Sequence, residues 1–288
     1  MLRLNVGVDA HTHAYVRTGG HDTKFGLHPR DEAAAAAMLQ EHPQLRFVGL
    51  HAHIGSQIFA SDPYAATAQA LIEAAARFTQ RGMPVHRIIT GGGFGVASDP
   101  DAEEPELELA GTVARIVQSL ERAAREAGIP PPRLGIEPGR SLVAEAGTTI
   151  YEVLAVKRQS RRTFVIVDGG IFENPRPALY GARYRVEPVS PIEGEVQEMT
   201  ICGRSCENDE LATVALPAAI VAGTLLAMYG TGAYTYSMAS NYNRFARPAV
   251  AGVSHGRHSV LARRETLEDL VRADEGASDA SGSLTATL

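Results

Sequence analysis

Four times in its first half the chain runs a short apolar stretch into a polar or glycine-rich break, followed by a helical pattern. This alternation limits the fold more than any other feature. "LRLNVGVD" reads as a strand, and Pro29 to Gln40 as an Ala-rich helix with acids in its first turn. "LRFVGLHAHIG" is a second strand; Asp62 to Arg81 then repeats apolar residues at helical spacing behind an Asp-Pro start signal. "HRIITGGG" is a third strand, Leu107 to Ala127 a helix ending at Gly128, and "RLGIEPG" a fourth strand. Such repetition predicts a parallel sheet with right-handed crossovers, in a barrel or a doubly wound sheet.

The pattern changes near Gly147. From "TTIYEVLAVKRQSRRTFVIVDGG" onward, β-branched runs alternate with Gly, Pro and Asn/Asp breaks and the helical period disappears. We therefore expect an α/β part over 1–148 and a mostly antiparallel β domain over 149–272. Glu268 to Ala273 reads as a last short helix. The small, polar end of the chain makes 273–288 a disordered tail.

Composition narrows the function. The net charge is −6 with no basic run, which argues against nucleic-acid and membrane-surface partners. The longest apolar stretch, "LPAAIVAGTLLAMYG", is too short and too punctuated to span a bilayer, and no leader pattern is visible, so the expected setting is cytoplasmic. Cys202 and Cys206 are the only cysteines, too few for a disulfide framework. Lys24 and Lys157 are the only lysines, so chemistry that needs an amine has two candidates.

In a parallel α/β layout, ligands gather at the carboxyl ends of the strands. Here those ends carry "DAHTH", "HAHIGSQ", "GGGFG" and "EPGRS". Asp9, His11 and His13 resemble a zinc-hydrolase strand. The third and fourth strands, however, supply only glycines and a Glu/Arg pair, so no metal is expected. Gly91, Gly92 and Gly93 can turn backbone N–H groups toward a phosphate, although a glycine run alone is more often a plain turn. Their order departs from GxGxxG, which makes a dinucleotide a weak reading. Pro138 and Gly139 force a turn that sets Glu137 and Arg140 three residues apart, either as a surface ion pair or as an acid beside an anion site. His51 and His53 share one strand face and could hold a metal or stack on a planar ligand; Ser56 could donate to a phosphate.

The second half offers Arg176 and Tyr180 in "NPRPALY", Cys206 beside Glu207, and a Gly/Tyr/Asn turn around Tyr234. Each alone is more often scaffold than site. A carboxylate next to a thiol disfavours the thiolate, which suits Cys206 to donating a proton rather than attacking.

Taken in order, "NVGVDAHTHAYVRTGGHDTKFGL", "GLHAHIGSQIF", "GGGFG", "EPGRSLVAEAGTTIYEV", "VDGGIFENPRPALYGARY", "CGRSCENDEL" and "GTGAYTYSMASNYNRFARPAV" resemble the fold-type III pyridoxal-phosphate enzymes, and among them the diaminopimelate decarboxylases. The likeness runs through nearly all of Leu2 to Asp274; Val6 departs from the family's usual proline. It implies an alanine-racemase-like (β/α)8 barrel, of which this chain holds the C-terminal part, followed by a β domain. It implies pyridoxal 5'-phosphate as cofactor. His53 would stack on its ring and Glu137 would pair with the ring nitrogen. Ser56, Gly91, Gly92, Gly93, Pro138, Gly139, Arg140 and Tyr234 would complete the cofactor site. Arg140, Arg176, Tyr180, Glu207 and Tyr234 would hold the amino-acid substrate, and Cys206 would protonate the product across a homodimer interface. The reaction implied is meso-2,6-diaminopimelate to L-lysine and CO₂.

The family's cofactor-bearing lysine lies on an earlier strand, and neither Lys24 nor Lys157 matches it. The expectation is therefore that this chain is a fragment or one half of a split protein, inactive without a separate N-terminal chain. Decarboxylation of ornithine, arginine or carboxynorspermidine, and a non-catalytic remnant, are the competing readings.

Overall fold

The computed structural model describes residues 1–9, 23–97 and 107–274. His11 and His13 of the zinc-like motif, and 275–288 of the expected tail, lie outside them. Contacts divide the chain into two compact units. The first comprises 1–150 with 183–187 and 227–233, and the second the remainder, so the division is not a single cut in sequence.

In the first unit, β1 (Leu2–Arg3), β2 (Gly49–His51), β3 (Arg87–Ile89) and β4 (Arg133–Gly135) form a parallel sheet in the order β1-β2-β3-β4. The strands are much shorter than the apolar runs that announce them, because each run continues past its ladder into the polar break. All four carboxyl ends consequently lie along one edge.

The helices are α1 (Glu32–Glu41), preceded by a 3₁₀ turn at Pro29–Asp31, α2 (Asp62–Gln80) and α3 (Leu109–Ala127). Their apolar faces cover one side of the sheet: Leu50, Ile54, Ile88, Tyr64, Leu71, Ile72, Phe78 and Ile116 form the centre of the core. Small residues let α2 and α3 approach closely enough for Ser119 Oγ to donate to Ala65 O at 2.8 Å. Glu32 is buried but receives both donors of the Arg77 fork, at 2.8 and 2.7 Å, which ties α1 to α2. A four-residue helix, α4 (Arg140–Val143), follows the Pro-Gly turn.

After it come β5 (Thr148–Arg158), β6 (Thr163–Val167), α5 (Arg176–Tyr180), β7 (Val186–Pro188), β8 (Val196–Cys202), β9 (Glu210–Pro217), β10 (Leu225–Tyr229), β11 (Val250–Ser254), β12 (Arg257–Ala262) and α6 (Leu267–Val271). Within the second unit, β5–β6, β8–β9 and β11–β12 pair antiparallel, as the sequence predicts. β6 and β8 pair parallel, within a domain expected to be mostly antiparallel. The chain between them is long enough for the crossover that a parallel pair requires, and it carries α5, a helix too short to show a period. Asp274, placed in the expected tail, ion-pairs with Arg244 at 3.0 Å. Among the described residues, no helix is long and apolar enough to cross a membrane.

Candidate functional site

The carboxyl edge of the parallel sheet gathers His51, His53, Ser56, the three glycines Gly91 to Gly93 and the turn from Glu137 to Arg140, all singled out by sequence, together with Arg3 and Gln57, which were not. His53 lies two residues beyond β2. Its Nδ1 accepts the Gly92 N–H at 3.2 Å, which leaves the ring proton on Nε2. Burial, then the charges of Arg3 and His51, lower its pKa below the ordinary histidine value against the opposing pull of Glu137. The result is a neutral imidazole of fixed orientation. Arg3, which no local pattern marks, ends β1, donates to His53 O at 3.3 Å and lies over the Phe25 ring.

Glu137 reaches back across the sheet. Its Oε2 lies 3.0 Å from His51 Nε2, and the carboxyl group is half exposed toward the same edge. Arg140 is buried beneath the Pro138-Gly139 turn and donates to Ser56 Oγ at 3.2 Å. The acid and the guanidinium of "EPGR" therefore face different partners rather than each other.

The triple glycine is not a loose turn. A Cβ on Gly92 would lie 1.9 Å from Glu137 O, and one on Gly93 1.9 Å from Gly55 O. Backbone from three strand ends thus packs where side chains cannot fit. Glu137 N–H donates to Gly91 O, and Ile58 N–H to Gly93 O, extending this close packing. Gln57 clasps Val96 through both amide groups, at 3.0 and 3.1 Å, and pays for a left-handed backbone with φ 59°.

The second unit carries its own cluster. Cys206 is exposed; its thiol donates to Glu207 Oε1 at 3.3 Å and accepts from Asn243 Nδ2 at 3.4 Å. Tyr242 Oη donates to the same carboxylate oxygen. That hydrogen bond holds Glu207 below the usual carboxylate range and pushes Tyr242 up to about 12. The segment carrying Tyr242 and Asn243 is pinned by Asn241 to Glu265 at 2.6 Å and by Arg247 to Glu265 at 2.6 Å. Buried Asp209 accepts from Ile171 N at 2.7 Å and Ser205 N at 3.3 Å, joining the "DGG" loop to the cysteine loop. Arg176 is buried at the start of α5, which ends at Tyr180; Tyr234 is exposed, with φ 59°. Sequence reading did not single out Tyr242, Asn243 or Asp209. "NYN" carried the signal, while Asp209 is visible only through the two loops it joins.

Residues 1–144 match the family model described as the pyridoxal-binding domain of pyridoxal-dependent decarboxylases. The chain belongs to this family. Among individual relatives of this decarboxylase family, the diaminopimelate decarboxylase of Actinosynnema pretiosum subsp. auranticum is 45% identical, over 95% of this chain and 62% of its own length. The crystal structure of diaminopimelate decarboxylase from Helicobacter pylori complexed with L-lysine superposes with a TM-score of 0.82 at 32% identity, covering 94% of this chain and 65% of that one. Lysine/ornithine decarboxylase from Vibrio vulnificus, complexed with putrescine, gives 0.67 at 25% identity, covering 78% of this chain and 59% of that one. The chain thus spans about three fifths of the length of the curated relatives it matches.

Proposed function

We propose that the protein is a pyridoxal-phosphate-dependent diaminopimelate decarboxylase, releasing CO₂ from meso-2,6-diaminopimelate to leave L-lysine. The observation that carries this reading is the neutral His53, clamped by Gly92 among the strand ends between the Glu137 carboxylate and the Arg140–Ser56 pair. A flat uncharged ring, an acid and a cation–hydroxyl corner suit a phosphorylated pyridine. The names of the Actinosynnema pretiosum and Helicobacter pylori relatives favour diaminopimelate over ornithine.

The chemistry such a cofactor supplies is an electron sink for the charge left as CO₂ departs. The chain's own residues would serve it as follows. His53 presents its face to the ring, and Gly92 acts through His53 by fixing the imidazole. Glu137, oriented by His51, keeps a proton on the ring nitrogen. Ser56, Gly91, Gly93, Gly139, Arg140 and Tyr234 hold the phosphate, with Pro138 shaping the turn. Arg140, Arg176, Tyr180, Glu207 and Tyr234 bind the substrate's charged groups. Cys206 gives up its proton to the product, acting on the site of a partner subunit in a homodimer. On this reading the parallel sheet is an arc of a (β/α)8 barrel over 1–148, and the β domain occupies 149–272.

The test supplies this chain with the lysine-bearing N-terminal part of a relative and pyridoxal phosphate, then offers meso-diaminopimelate and ornithine separately. Lysine and CO₂ from diaminopimelate alone support the proposal. Preference for ornithine shifts the substrate assignment. Cofactor binding without turnover of either favours a non-catalytic remnant.

A further inference from the structure

The amino end of the parallel sheet carries a second concentration of charge, unlike the first in composition. Arg87 opens β3 and Arg133 opens β4, and the two are direct register partners. Side chains alternate along a strand, so the two arginine side chains leave the sheet on the same face. The neighbouring register position on β2 is Gly49, which places no side chain between them and the next strand. Arg46 and His86, each just ahead of a strand, join Arg87, Arg133 and Val48 around a cavity of about 480 Å³. Among the described residues no acid lines it, and Arg46, Arg87 and Arg133 make no ion pair. Like charges set opposite each other in a sheet oppose its formation unless something neutralises them.

We propose that this cavity binds a compact oligophosphate anion of the pyrophosphate class. Guanidinium forks donate in pairs to phosphate oxygens, and three of them around one cavity match a multiply charged anion better than a single carboxylate. The volume falls within the range of small-molecule sites, with room for more than one phosphoryl group. The site is separate from the His53–Glu137 cluster, which occupies the carboxyl end of the same strands, and it does not depend on the decarboxylase reading.

Inorganic pyrophosphate is the probe. Titrated into the 288-residue chain, it binds with an affinity that R87Q or R133Q weakens at least tenfold and that R125Q, at the exposed end of α3, leaves unchanged. A footprint on the unmutated chain keeps the test independent of variant folding: pyrophosphate protects Arg46, Arg87 and Arg133 from phenylglyoxal and leaves Arg125 reactive. Equal labelling with and without pyrophosphate, protection confined to Arg140, equal weakening by R125Q, or tighter binding of citrate than of pyrophosphate would each overturn the proposal.

Discussion

His51 and Glu137, 86 residues apart, meet at 3.0 Å where β2 and β4 end. The imidazole spans the gap between the two strand ends, with β3 and its glycines beneath, and the carboxyl group is thereby aimed over the edge of the sheet. An acid so placed can hold a proton on a ligand nitrogen only while its own charge is kept. In the active assembly, E137Q, which retains a group for His51 to bond, should lower kcat by at least about 100-fold. Cofactor absorbance should persist. H51Q should cost less than E137Q, because it disturbs orientation and leaves the charge in place.

Glu173 gives a pH-dependent stability. It is buried, bonded by Tyr151 Oη and the Gly170 N–H, and burial raises its pKa to about 7, with Asp209 and Asp168 adding to the rise. The folded chain therefore holds this proton more tightly than the unfolded one. Stability contributed by the protonated form is complete below about pH 4.5 and is lost as pH climbs to about 7, by about 3 kcal/mol. Urea unfolding across that interval should show the decline in the native chain and a flatter profile in E173Q.

The Arg77–Glu32 fork is a stability element. Removing the guanidinium leaves a buried carboxylate with neither of its donors, so R77A should cost about 2–3 kcal/mol by chemical denaturation. The double variant R77A/E32A should recover part of that loss.

The two thiols should react in a fixed order. Cys206 is exposed, whereas Cys202 is half-buried and burial pushes its thiol up to about 11. Iodoacetamide at pH 7.5 should therefore modify Cys206 first, by at least about tenfold in rate, as read by peptide mass spectrometry. Replacing Tyr242 by Phe should alter the Cys206 rate and leave that of Cys202 unchanged.

Much of this was legible in the residues themselves. Strand–helix alternation implied the parallel sheet, and a parallel sheet puts its polar strand ends on one edge. His53, Ser56, Glu137 and Arg140 therefore stand out as candidates in the sequence itself. What escaped was non-local. The packing reason for Gly92 lies against Glu137, 45 residues later, and a glycine run shows no trace of its distant neighbour. Arg3 looks like an ordinary strand residue until β1 is laid beside His51. Asp209 matters because it receives amides from two loops, a relation invisible along one stretch of chain. The β6–β8 pairing could not be specified from sequence, because nearest-neighbour hairpins are the natural default and α5 is only five residues long.

The central claim is tested most directly by solving this chain with pyridoxal phosphate bound. The ring should lie against His53 with its nitrogen toward Glu137, and the phosphate among Ser56, Gly91, Gly93 and Arg140. Cofactor attached instead to the surface at Lys24 or Lys157, with that edge of the sheet left to other ligands, would contradict it.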